Sequence, residues 1–123
     1  MAKLDLGQGL SLHDYDLNSG GAPIVILLHG LGATSDSWQL QLPALLESGY
    51  RILAPDMRGF GKSSYPEGPN SPRIMAEDVA TFLNRLEVTS VYVVGISMGG
   101  TIALQFALEH PSLNIHRCSG ANF

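Results

Sequence analysis

One cysteine in 123 residues, Cys118, excludes an internal disulfide framework. Basic side chains are also few: seven Lys and Arg stand against eleven Asp and Glu, for a net charge of −4. No basic patch is available to neutralise phosphates, so nucleic-acid binding is not expected. No apolar run approaches the roughly 20 residues of a membrane span, and "MAKLDLGQGLSLHDYDL" contains none of signal-peptide length. The chain is therefore expected to be soluble and cytoplasmic, without a membrane partner. No internal repeat or low-complexity segment is visible. Hydrophobic residues make up 45% of the sequence, enough to bury a core in one small domain.

The apolar runs alternate in type. "LSLHDYDL" (10–17) alternates apolar and polar residues, the mark of a half-buried strand. "IVILLH" (24–29) is continuously apolar, as in a parallel strand covered on both faces. In "PALLESG", Pro43 suits the first turn of a helix and Gly49 its stop. "YRILAPD" (50–56) reads as another strand. Ser71 can cap the next helix, with Pro72 at its first position. Met75, Val79, Phe82, Leu83 and Leu86 then form one apolar stripe. "SVYVVGI" (90–96) reads as a buried strand, and "MGGTIALQFALEH" as a well-covered central helix ended by Pro111. Strands alternating with helices predict an α/β fold with a mostly parallel sheet and flanking helices. Ligand sites in such sheets lie beyond the carboxyl ends of the strands. "HGLGAT", "DMRGFGKSS" and "GISMGG" all follow strand ends, so they should meet at one edge.

Gly95-Ile96-Ser97-Met98-Gly99 fits G-x-S-x-G at a strand-to-helix junction, the pattern of a nucleophile elbow. The turn is too tight for large neighbours, and the following helix aims its N-terminal N–H groups at the serine. Ser97 is thus a candidate nucleophile, and the backbone N–H of Met98 a candidate oxyanion donor. The His-Gly turn of "LLHGLGAT" offers a second amide, that of Leu31. Such glycines could instead cradle phosphate, but neither G-x-G-x-x-G nor G-x-x-x-x-G-K-[ST] is present. Asp56 and Arg58 could be an acid and a substrate clamp. The plainer reading is structural: Asp56 accepts backbone N–H bonds and Arg58 braces the loop.

These three motifs, in this order and spacing, resemble the α/β-hydrolase superfamily, from about Leu10 to about Leu113. The resemblance implies a serine hydrolase, esterase- or lactonase-like, acting on a small ester, lactone or similar acyl bond. It gives Ser97 as nucleophile, with the Leu31 and Met98 amides as oxyanion hole. Asp56, Arg58 and Gly59 become a structural loop, and His29 organises the oxyanion loop without acting as base. A small-molecule acyl substrate is implied; a metal or organic cofactor is not.

The superfamily's triad continues from serine to an acid and then a histidine. After Ser97 the sequence has no aspartate, only Glu109, His110 and His116. The first two close the helix that begins at the elbow, roughly 18 Å from Ser97. His13, on the first predicted strand, is expected to face solvent. The expectation is therefore a truncated α/β-hydrolase fold, with residues 1–113 its N-terminal part and 114–123 an irregular tail. Without a base, Ser97 should be weak or inactive in this chain alone, unless a complementary chain supplies Asp and His. The tail would leave strand 90–96 as an open edge. That edge suggests the alternative of a non-catalytic interaction module or inert remnant, pairing by strand addition.

Overall fold

Six strands form one sheet in the computed structural model, which describes residues 2–66, 70–111 and 114–120, the last segment and Ala2 by backbone alone. The strands are β1 (Ala2–Gly7), β2 (Leu10–Leu17), β3 (Ile24–Leu28), β4 (Arg51–Pro55), β5 (Ser90–Ile96) and β6 (Asn114–Gly120). Their order across the sheet is β1-β2-β4-β3-β5-β6. β3, β4, β5 and β6 pair in parallel, and β2 runs antiparallel to both β1 and β4. The mostly parallel α/β architecture is as the alternating pattern predicts. β1 carries no strong sequence signal and is held by its hairpin with β2.

Three helices flank the sheet: α1 (Leu42–Glu47), α2 (Pro72–Arg85) and α3 (Met98–Glu109). α2 begins as its residues dictate, with the Ser71 hydroxyl accepting from the N–H of Ile74 and Pro72 in the first turn. Its stripe of Met75, Val79, Phe82 and Leu83 is buried. β3 is covered on both faces. Ile26 and Leu28 join the core under α2 and α3, with Phe82, Ile102 and Phe106, while Val25 and Leu27 pack on the α1 side with Ile52 and Ala54.

Two expectations fail at the far end of the sheet. The stretch expected as an irregular tail, 114–123, contributes β6, whose register with β5 runs unbroken from Ser90↔Asn114 to Ile96↔Gly120. β5 is therefore an interior strand and not an open edge. A parallel ladder uses backbone N–H and C=O groups, which every residue from 114 to 120 has, so pairing here overrides poor strand composition. Residues 121–123 lie outside the described ones.

Coverage by helices is also less even than the apolar runs imply. β5 buries Val91, Val93 and Gly95 under α3, but Tyr92 and Ile96 on its other face are 42% and 44% exposed. On α3, Leu104 and Leu108 face outward. His13, expected at the surface, is buried on β2.

Candidate active site

The carboxyl ends of β3, β4 and β5 do bring the three glycine-rich segments together. A Cβ added at Gly30 would lie 3.2 Å from the Ser97 Cβ, so the loop after β3 touches the turn after β5. His29 accepts at Nε2 from the N–H of Met57 at 2.9 Å, and Ser35 donates to Asp56, joining the first loop to the second.

At Ser97 the backbone takes φ 57° and ψ −121°, a conformation that costs a non-glycine residue about 1–3 kcal/mol. The neighbouring glycines make this turn possible. A Cβ on Gly95 would sit 2.2 Å from the carbonyl oxygen of Gly99, and one on Gly99 would sit 2.1 Å from that of Leu28. Only hydrogen fits at either position, so β5, β3 and α3 approach closely enough to force the serine out of the turn. The Ser97 carbonyl accepts from the N–H groups of Gly100 and Thr101, fixing the serine as the helix cap. Its hydroxyl has no hydrogen-bond partner among the described residues. Met98 is the first residue of α3, where an N–H has no intrahelical acceptor. Leu31 lies one residue beyond Gly30, with its side chain 74% exposed.

His29 cannot serve as base in this arrangement. Its ring is fully buried and edge-on to Phe60 at 5.2 Å. Nδ1 lies 2.9 Å from the carbonyl of Gly30 and donates to it, while Nε2 accepts from Met57. Both nitrogens are engaged in the neutral tautomer, and burial holds the imidazole below its ordinary pKa.

Asp56 is structural, as the plainer reading expects. It accepts from the N–H and hydroxyl of Ser35, both at 2.7 Å, and from the N–H of Lys62 at 3.0 Å. Burial works to raise its pKa, but these donors outweigh it and hold the carboxyl below the usual range. Arg58 braces the loop against α2 through a bidentate pair with Asp78, a partner that the sequence did not single out. Asp14, also missed, is buried on β2 with its pKa raised to about 6, first by burial and then by Asp16.

Glu109 and His110 stand at the opposite end of α3 from Ser97 and serve the α2–α3 contact. Glu109 pairs with Arg73 at 2.9 Å, and His110 Nε2 lies 2.6 Å from Glu77. Glu77, Glu109 and His110 are the metal-competent group among the described residues, and each has a protein partner. His116 lies on β6, paired with Tyr92, where the structure describes backbone alone. Among the described residues, no helix is long and apolar enough to cross a membrane.

Comparison with known proteins agrees with this geometry. A family profile described as alpha/beta hydrolase fold matches residues 23–118. The bifunctional epoxide hydrolase 2 of Sus scrofa is 38% identical over 105 residues, which are 84% of this chain and 19% of that protein. An epoxide hydrolase of Caballeronia sordidicola is also 38% identical, over 84% of this chain and 31% of its own. Among solved structures, an esterase from Exiguobacterium antarcticum superposes with a TM-score of 0.83 at 34% identity. That alignment covers 93% of this chain and 42% of the esterase. The chain thus spans less than half the length of these relatives. With the sheet order, the elbow and this match in agreement, the chain belongs to the α/β-hydrolase family, whose relatives here are hydrolases.

Proposed function

We propose that this chain carries the nucleophilic half of a serine hydrolase acting on a small ester, lactone or similar acyl bond. The observation that carries the reading is Ser97 itself: a strained cap residue at the N-terminus of α3, beside Gly30, its hydroxyl without a partner among the described residues. Ser97 Oγ adds to the acyl carbonyl, and the N–H groups of Leu31 and Met98 stabilise the oxyanion. Collapse expels the alcohol, which takes the proton removed from the serine. Water then releases the acid from the acyl-enzyme and restores the hydroxyl.

Serine chemistry favours acyl substrates over the epoxides named in several relatives. Opening an epoxide with a serine hydroxyl joins Oγ to carbon as an ether, which water does not readily cleave. An acyl ester at Oγ is cleaved by water activated in the same way as the serine was. Neither step requires a metal or organic cofactor.

The base and its orienting acid are supplied by polypeptide outside these 123 residues, as a continuation or as a complementary chain. His29 is unavailable for the reasons above, and no other histidine side chain in the described structure lies beside Ser97. Such polypeptide has an apolar surface to cover: a groove of about 410 Å³ between α1 and β5, lined by Trp38, Leu40, Leu45 and Val94.

A fluorophosphonate probe tests the reading. Ser97 should label poorly in this chain alone and strongly once the C-terminal part of a related esterase is added, with Ser97→Ala blank in both cases. Absence of labelling in a complex shown to have formed would leave a non-catalytic module or inert remnant.

A further inference from the structure

A second cleft lies at the other end of the sheet. It has a volume of about 450 Å³ and opens between the β1–β2 turn and α2. Three strands lie between β1 and β5, so four inter-strand spacings put the cleft roughly 19 Å from the strand that leads into Ser97. Leu6, Gly7 and Gln8 form one wall, Thr81 and Arg85 the other, with the Arg58–Asp78 pair between them.

The charge of this lining runs against that of the chain. The protein carries −4 overall, yet the cleft holds two guanidinium groups and a single carboxylate. That carboxylate is spent locally, because both oxygens of Asp78 accept from Arg58. The Asp78 pair also holds the Arg58 guanidinium in one orientation. Two of its five N–H donors are then engaged, leaving three for other acceptors.

Arg85 closes the α2 helix, where its ordinary role would be to complement the helix dipole. Its side chain reaches instead across the cleft, with Nη2 3.4 Å from the carbonyl of Leu6. This long contact is its only hydrogen bond among the described residues. The carboxamide of Gln8, held out on a turn residue at φ 56°, adds further donor capacity. Donors therefore outnumber acceptors, one positive charge is uncompensated by the described residues, and the space exceeds what one water needs.

We infer that the cleft formed by Arg58, Arg85 and Gln8 binds a small oxyanion ligand, a carboxylate or phosphate group, at a site separate from Ser97. A planar guanidinium gripping two oxygens is suited to either group. The site's role is binding; no bond is made or broken there.

Isothermal titration of the chain with inorganic phosphate and, separately, with acetate tests this inference, with Arg85→Gln and Arg73→Gln as matched variants. Each variant removes one positive charge, but Arg73 sits outside the cleft, paired with Glu109. Saturable one-to-one binding should weaken about tenfold or more in Arg85→Gln and little in Arg73→Gln. Phosphate binding alone would mark a phosphoryl ligand, and acetate binding alone a carboxylate. Absence of saturable binding by either anion, or equal weakening in both variants, overturns the inference. If Arg85→Gln does not fold, Gln8→Gly, which suits the positive φ, should weaken binding by a smaller factor; no weakening there overturns it equally. Ser97 labelling is independent of either result.

Discussion

The loop after β4 and the turn after β5 share one edge of the sheet but are built in opposite ways. The first is saturated. Asp56 accepts three hydrogen bonds, its own carbonyl takes the Ser63 hydroxyl, and Arg58 is locked to Asp78. The second is strained and unsatisfied, with Ser97 at positive φ and its hydroxyl without a partner among the described residues. The difference separates a loop that holds the edge in shape from a residue kept strained, as the proposed nucleophile role requires. Stability is concentrated in one so that the other can keep a costly conformation.

The largest effect should come from closing the space on which the strained turn depends. Gly99→Ala places a methyl 2.1 Å from a backbone oxygen, so it should cost about 3 kcal/mol or more, or prevent folding. Urea denaturation measures this, and a loss below about 1 kcal/mol would mean the turn can open.

Next is the saturated loop. Asp56→Ala strands the N–H groups of Ser35 and Lys62 and should cost about 3 kcal/mol, while Asp56→Asn should cost less. Because the folded carboxyl titrates below its unfolded value, its contribution is present above the ordinary carboxylate range and is lost as pH falls through the folded pKa. The mutant and wild-type curves should therefore converge in acid. Parallel curves down to low pH would show that the carboxylate charge does not anchor this loop.

Asp14 sharpens the contrast, as a buried acid without such donors among the described residues. Its folded pKa of about 6 lies above the ordinary value, so the native state holds a proton more tightly than the unfolded chain. The stability it contributes is complete below about pH 4 and lost as pH rises through about 6. Asp14→Asn should thus add about 2 kcal/mol at pH 8 and little at pH 4. A gain that does not vary with pH would overturn this.

The smallest effect should be at the elbow itself. Ser97→Gly relieves the positive φ and should stabilise the fold by about 1 kcal/mol while abolishing probe labelling. Destabilisation would mean that the serine side chain supports the turn instead of being strained by it.

Local signals in the sequence reached far into this structure. The Ser71–Pro72 start of α2, its apolar stripe and the 90–96 boundaries of β5 were all legible, because caps and periodicity depend on residues a few positions apart. The G-x-S-x-G turn was legible for the same reason: its two glycines are small because the neighbours meet there. His13 was misplaced because Asp56 and Ser63 reach it from more than 40 positions away in sequence. β6 was missed because its residues carry little strand preference and its pairing is a backbone matter.

By itself, then, the sequence determined the alternation of strands and helices, the strained serine and the order of three loops along one edge. Tertiary structure alone decided that both His29 nitrogens are occupied, that Asp78 holds Arg58, that Asp14 is buried, and that Arg85 reaches across a cleft to Leu6. The first set is written in residue types at short spacing along the chain. Apart from the bond of His29 to its neighbour Gly30, the second needs groups 20 or more residues apart to be placed within hydrogen-bond reach or under a common cover, which only the assembled sheet and helices achieve.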